Sequence, residues 1–183
     1  MPKTSTASTG SRPKENSVGS NENDAARNGL RAVDAVRNIL TRTELNPTEE
    51  RRSDRVVFHV SLDGPADQGI AQLLVDAERF VVHFIFTGVV PAKRRSKVAE
   101  FITRANWGLI EGNFEMDFDS GALRYRVGID FSATELTEPL VRNAILSGMN
   151  NIEPFADALQ AVIDGSEEPS AAIKSVSFSP EPE

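Results

Sequence analysis

Two stretches of strict alternation between apolar and polar residues lie close together in the second half of the chain. From Ile110 to Phe118 every even position is apolar or glycine, and from Leu123 to Phe131 every odd position is apolar. A period of two residues is typical of a strand with one buried face. We therefore expect two neighbouring strands whose large apolar side chains are buried against another layer.

The change of phase between these strands predicts how they pair. Even positions must lie opposite odd positions, so the connecting loop needs an even number of residues. A two-residue turn at Ser120-Gly121 meets this condition and uses the conformational freedom of glycine. It would place Asp117 opposite Arg124 and Glu115 opposite Arg126.

A helix is predicted immediately before this hairpin. Pro91 suits a first helical turn, and Gly108 suits the end of the helix. Apolar residues recur between them at three- and four-residue spacing, which is typical of a helix with one buried side. This stripe consists of Val98, Phe101, Ile102 and Ala105.

The first half of the chain predicts one helix and three strands. Residues 24–45 form an amphipathic pattern that Pro47 ends, and the strongly charged residues 48–54 read as a solvated connection. Strands are predicted at 55–62, 69–77 and 79–87. Unlike the later hairpin, these strands are apolar on both faces.

Three residues carry that second apolar face: Val57, Val81 and Ile85. Strands that are apolar on both faces are usually covered on both faces. The helices can cover one side, so the second face is a candidate protein contact unless the first helix crosses to it.

After the hairpin, Thr137-Glu138-Pro139 predicts a further helix, which Pro154 kinks or divides before Gly165. The order is helix, three strands, helix, two strands, and one or two helices. It predicts an α+β fold of two layers with a five-stranded antiparallel sheet. The domain would span residues 24–165, between a disordered tail at 1–23 and an acidic flexible tail at 166–183.

The composition and net charge of the chain limit the classes of protein to which it can belong. The chain has 183 residues, 39% hydrophobic and 26% charged, with a net charge of −7 and no cysteine. These values are typical of one soluble domain, argue against general nucleic-acid binding, and favour a reducing, cytoplasmic location. No apolar run approaches the roughly 20 residues of a membrane span. The Ser- and Thr-rich start is also typical of an organelle transit peptide, although Glu15 disfavours that alternative.

Candidate chemistry is sparse. His59 and His83 are the two histidines, and without cysteine they fall short of a zinc site. Glu111, Glu115 and Asp117 alternate along a solvated strand face, whereas an acid–base pair needs one carboxyl group in an apolar niche. We therefore expect no enzymatic activity, no metal and no cofactor.

One cluster of charge is unusual. Lys93, Arg94, Arg95 and Lys97 open the predicted helix, where the helix dipole disfavours cations. Arg94 and Arg95 are candidate contacts for an anion or an acidic peptide. The alternative is that long side chains lie over apolar surface with solvated charged ends. Trp107, near the end of the same helix, fits either the core or a protein contact.

The helix and hairpin together resemble the signature of the YbjN family. The residues that carry the resemblance are Val90-Pro91, Arg94-Arg95, Val98, Ile102, Asn106, Gly112-x-Phe114-x-x-Asp117, Gly121 and Tyr125-Arg126. The resemblance covers residues 89–165 well and residues 24–88 by element order alone. It implies a curved antiparallel sheet like that of type III secretion chaperones, and a role in bacterial sensory transduction with no established enzymatic activity.

Together these features predict a non-enzymatic protein-binding or regulatory module that forms a homodimer. Its contact surface would be the second face of the first three strands or a sheet edge. The alternative is a chaperone-like escort of an unstructured client protein, by analogy with the secretion chaperones. A small-molecule or enzymatic pocket is a third possibility.

Overall fold

The structure, a computed structural model, describes residues 18–176. The helices are α1 (Val18–Arg42), α2 (Arg95–Gly108), α3 (Glu138–Ile152), α4 (Ala156–Asp164) and α5 (Pro169–Ser175). The strands are β1 (Thr48–Arg51), β2 (Val56–Ser61), β3 (Gln68–Leu74), β4 (Arg79–Ile85), β5 (Asn113–Met116) and β6 (Leu123–Asp130). Short 3₁₀ turns precede α2 at Ala92–Arg94 and α4 at Glu153–Phe155.

All strands within the described residues form one open antiparallel sheet in the order β1-β2-β3-β4-β6-β5. The sheet therefore has six strands, and the predicted five-strand count was too low. The additional strand is β1, in the charged segment expected to be a solvated connection. It forms because its backbone pairs with β2, with Glu50 opposite Val57. Charged side chains are a common way to protect an edge strand.

The helices pack on one face of the sheet. The core contains alternate residues of the strands, such as Phe58, Phe80, Phe84 and Tyr125, together with the apolar sides of the helices. Helix α3 lies close to this layer at Gly148, where an added Cβ would be 2.1 Å from the Phe84 ring. The predicted stripe of α2 is buried at all four positions.

The hairpin pairs in a register two residues away from the predicted one. Glu115 lies opposite Arg124, so parity is preserved but the two-residue turn is wrong. The loop is wider because the Asp117 carboxylate accepts hydrogen bonds from the backbone N–H groups of Asp119 and Ser120, at 2.9 and 2.8 Å. Gly121 does adopt a positive φ, 80°.

The predicted apolar face of β5 is largely wrong. Phe114 is buried, but Ile110 and Phe118 are exposed. The strand is only four residues long, because Gly112 at φ 72° and the Asp117 turn take the flanking residues out of the pleat. Two large side chains expected in the core therefore lie at the surface.

The ends of the domain differ from the predicted boundaries. Helix α1 begins at Val18, within the segment expected to be a disordered tail, and α5 lies within the expected acidic tail. Pro169 and Ala172 of α5 are buried against the domain. The rest of the two predicted tails, residues 1–17 and 177–183, lies outside the described residues.

Gly112 provides a test of the hairpin packing. An added Cβ there would lie 2.6 Å from both Cε1 and the hydroxyl oxygen of Tyr125, at a backbone angle that other residues adopt at a cost. We expect Gly112→Ala to lower the free energy of unfolding by about 2–4 kcal/mol in urea titrations followed by circular dichroism. Gly108→Ala is the matched control, since it has open space and should be neutral or slightly stabilising. Equal stability of the two variants would contradict this packing.

Candidate functional site

The described helices pack on one face of the sheet, and we call the opposite face the open face. Its side chains alternate with those of the core: Val56, Phe58 and Val60 of β2 belong to the core, whereas Val57 lies outside it. The open face consists of Val57, His59, Ser61, Gln68, Ile70, Gln72, Leu74, Arg79, Val81, His83, Ile85, Arg124, Arg126, Gly128 and Asp130.

The strand register brings the three apolar residues singled out from the sequence onto this common face. Val57, Gln72 and Val81 form one row across β2, β3 and β4. Val57 is only 3% exposed, whereas Val81 and Ile85 are half-buried. Their role as a protein contact stays a prediction, but the face that they were expected to share is present.

His83 lies at the centre of the open face. The residue is 8% exposed, although it lies outside the helix-side core. Burial lowers its pKa to about 4, and Arg124 and Arg126 act in the same direction while Glu115 opposes them. The imidazole is therefore neutral near pH 7.

A basic group lies on one side of His83, on β6. Arg124 donates a hydrogen bond from Nε to Glu115 at 2.7 Å, while Nη1 of Arg126 lies 3.9 Å from the same carboxylate. Burial raises the pKa of Glu115, but hydrogen bonds from Arg124 and Asn113 outweigh it and hold the pKa below its usual value. Arg126 is thus the less tightly paired of the two arginines.

An acidic group lies on the other side, on β1 and β2. The Glu50 carboxylate accepts a hydrogen bond from Arg52 at 2.9 Å, which holds the pKa of Glu50 below its usual value. Its other oxygen lies 3.6 Å from Nε2 of His59. The open face therefore has Glu50 at one side and Arg124 and Arg126 towards the other, with an ion pair between Arg79 and Asp130 at 2.7 Å on β4 and β6.

The structure assigns internal partners to both arginines of the basic cluster. Arg94 donates two hydrogen bonds to the carbonyl oxygen of Val162, at 2.9 and 2.6 Å, near the end of α4. Arg95 donates from Nη1 and Nη2 to three successive carbonyls of the hairpin loop. The sequence alone did not reveal these roles, because backbone acceptors far along the chain leave no residue pattern.

Arg95 also reaches a fourth carbonyl, that of Val90, through Nε at 3.2 Å. It thereby joins three segments: the loop before α2, the first turn of α2, and the β5–β6 loop. We call this set of four bonds the Arg95 clamp. It leaves little of the guanidinium for a partner, so the predicted contact role of Arg94 and Arg95 has less support than that of the open face.

Asn106 closes the outer edge of the sheet. Its Nδ2 donates to the carbonyl of Phe114 at 3.0 Å, and the N–H of Phe114 donates to its Oδ1 at 2.8 Å. This pair of bonds imitates a neighbouring strand and occupies the free edge of β5 at Phe114. Trp107 beside it is 93% exposed, so it does not belong to the core, and its predicted contact role stays open.

The described residues show little that points to catalysis. Within 18–176, no group of three or more His, Asp or Glu side chains is arranged to hold a metal ion, and no buried side-chain polar atom lacks a partner. A groove of about 510 Å³ lies between the loop after β4 and helix α4, with Asp67 and Asp157 at its rim. None of the helices in this part of the chain combines the length and hydrophobicity needed to cross a bilayer.

Comparison with known proteins supports the resemblance seen in the sequence. A family model described as "YbjN: Putative bacterial sensory transduction regulator" matches residues 32–161. The chain belongs to the YbjN family. A search of curated proteins found no match.

The residues that resemble the YbjN signature mostly hold this fold together. Arg95 forms the clamp, Asn106 closes an edge, and Gly121 leaves room for the carbonyl of Val90, from which an added Cβ would be 2.3 Å away. Arg126 is an exception, because its side chain lies on the open face with one loose ion pair. The YbjN description agrees with a regulatory role and names no enzymatic one.

The Arg95 clamp yields a stability prediction. Arg95→Ala removes all four bonds and should lower the free energy of unfolding by about 2–3 kcal/mol, because carbonyls bonded to a charged donor lose their partner. The control is Arg104→Ala, which breaks only an exposed pair with Glu100 and should cost about 0.3–0.5 kcal/mol. Urea titration measures both. If the two losses were equal, the clamp would not stabilise the hairpin.

The lowered pKa of His83 yields a pH prediction. Above pH 6.5 the imidazole is neutral in both states; as the pH falls towards 4, the unfolded chain binds a proton that the folded chain resists. The free energy of unfolding should therefore fall by about 2 kcal/mol between pH 7.5 and pH 5. His83→Gln should lose this dependence, and the control His59→Gln should keep it. A dependence that follows His59 instead would refute the assignment.

Proposed function

We propose that the chain is a non-enzymatic regulatory module that self-associates through the open face. The observation that carries this proposal is a set of apolar side chains outside the helix-side core: Val57, Ile70, Leu74, Val81 and Ile85. The described helices pack on the other face and do not cover it. The YbjN family description supports the regulatory part of the proposal.

The size of the face is sufficient for a specific interface. The strands contain 36 residues in all, and at about 3.4 Å by 4.8 Å for each residue they cover roughly 590 Å² per copy. Two copies would bury about 1,200 Å², which lies at the lower end of the range of stable protein–protein interfaces. A homodimer also covers the same apolar patch on both molecules with a single contact.

Protein is a better partner for this face than nucleic acid, because the chain carries a net charge of −7 and an acidic group lies at one end of the face. We further propose a cytoplasmic location. An escort role would use the same face to hold an unstructured client protein. Purification of the chain with one dominant partner and without a dimer would favour that alternative.

The test of self-association is a charge placed in the apolar centre. Val81→Glu should raise the dimer dissociation constant at least about 100-fold, because the carboxylate would be buried without a partner in each copy. Val81 is a better position than Val57, since its half-exposed side chain can be replaced without opening the fold. Light scattering coupled to size exclusion, over a range of concentrations, measures the effect.

The control for this experiment is Leu30→Glu, which adds the same charge at an exposed position of α1. It should leave the dimer unchanged. A wild-type chain that is monomeric throughout the concentration range, or a Val81→Glu variant that dimerises like the control, would reject self-association through the open face.

A further inference from the structure

We infer that the two copies are related by a two-fold axis parallel to β3 and β4, which pairs Arg126 of one copy with Glu50 of the other. This inference rests on the proposed self-association and specifies its geometry. It follows from the positions of apolar and charged side chains across the open face.

The apolar residues define where the axis passes. Ile70 and Leu74 of β3 and Val81 and Ile85 of β4 occupy the two central strands of the six, with Val57 beside them on β2. Two identical faces bury the most apolar area when these central strands lie over each other. A two-fold axis that achieves this passes between β3 and β4, in the plane between the sheets.

Charge decides between the two axis directions that keep the strands of the two sheets aligned, one parallel and one perpendicular to the strands. An axis perpendicular to the strands lays each strand over its own copy, so Arg124 and Arg126 would face the same two arginines of the second molecule. Like charges brought together at an interface cost affinity. An axis parallel to the strands instead places β6 over β2 of the second copy, and this arrangement brings opposite charges together.

The strand register then identifies the pair. Arg126 shares one row with His83, Ile70 and His59. Rotation about an axis parallel to the strands preserves position along them, so Arg126 faces His59 of the second copy. The Glu50 carboxylate lies 3.6 Å from Nε2 of that histidine and is therefore the nearest acidic group to the arriving guanidinium.

Both members of the proposed pair are available. The Arg126 side chain is 42% exposed and lies 3.9 Å from its one carboxylate neighbour, while Arg124 is held at 2.6 Å. The Glu50 side chain is 48% exposed, and its two oxygens accept hydrogen bonds from Arg52 at 2.9 and 3.2 Å, so the arriving Arg126 would share this carboxylate with Arg52. In the same arrangement, Gln72 and Ile70 of one copy face Val81 and His83 of the other. Arg79, the charged group that β4 contributes, is paired with Asp130 of its own chain at 2.7 Å.

The experiment is a charge exchange between two variants. Arg126→Glu alone and Glu50→Arg alone each create two repulsive contacts per dimer, and each should raise the dissociation constant about 10- to 100-fold. An equimolar mixture of the two variants restores both contacts, so it should form a heterodimer with near wild-type affinity. The double variant in one chain should likewise recover the homodimer.

Native mass spectrometry resolves the heterodimer from the two homodimers, and size exclusion with light scattering measures the affinities. The control Arg104→Glu reverses the charge of an exposed arginine of α2 and should leave the dimer dissociation constant unchanged. Circular dichroism confirms that each variant is folded. Arg126→Gln and Glu50→Gln remove the attraction without adding repulsion and should weaken the dimer less than the reversals.

The outcomes separate this inference from the proposed function. If Val81→Glu breaks the dimer but both charge reversals leave it intact, or if the mixture fails to restore it, the axis is wrong and self-association stands. If the wild-type chain is monomeric, self-association fails and the pairing fails with it. Recovery of dimer affinity in the mixture, but in neither single variant, would support the pairing. Exchanged charges restore affinity only where the two residues contact each other.

Discussion

The structure depends on the contact between the Arg95 guanidinium and four backbone carbonyls. Three of the acceptors belong to the loop of the β5–β6 hairpin, and the fourth belongs to Val90, just before α2. One arginine side chain thus holds the backbone of the loop, in which the carbonyls of Phe118, Asp119 and Ser120 are the acceptors. Because the hairpin is fixed in this way, β6 pairs with β4 over seven residues and presents Arg124 and Arg126 beside His83.

The helix side and the open face use their polar residues differently. On the helix side, Asn106 and Arg94 satisfy backbone groups of elements distant in sequence, and these bonds define the packing. On the open face, Arg126 and Glu50 make side-chain pairs that remain accessible to a second molecule. The residues that resemble the family signature therefore mostly hold the fold together, whereas the open face lies mainly outside that signature.

Periodicity predicted the elements whose apolar residues face one side, such as β6 and α2, and it placed Val57, Val81 and Ile85 on a common second face. It missed β1 because Thr48–Arg51 contains no apolar alternation and forms by backbone pairing with β2. The hairpin register differed by two residues because the Asp117 side chain widens the turn. The role of Arg95 could not be predicted from the sequence, since its acceptors are backbone carbonyls, which every residue has.

The charge layout of the open face matches what association requires. Burying an ionised group in an interface is costly unless it is paired, and the centre of this face avoids that cost because His83 is already neutral at pH 7. Charged groups on the face are paired within the chain, such as Arg79 with Asp130 and Arg124 with Glu115. The proposed self-association would therefore require no change in protonation, and in it the charged groups would decide orientation while the apolar side chains would supply affinity.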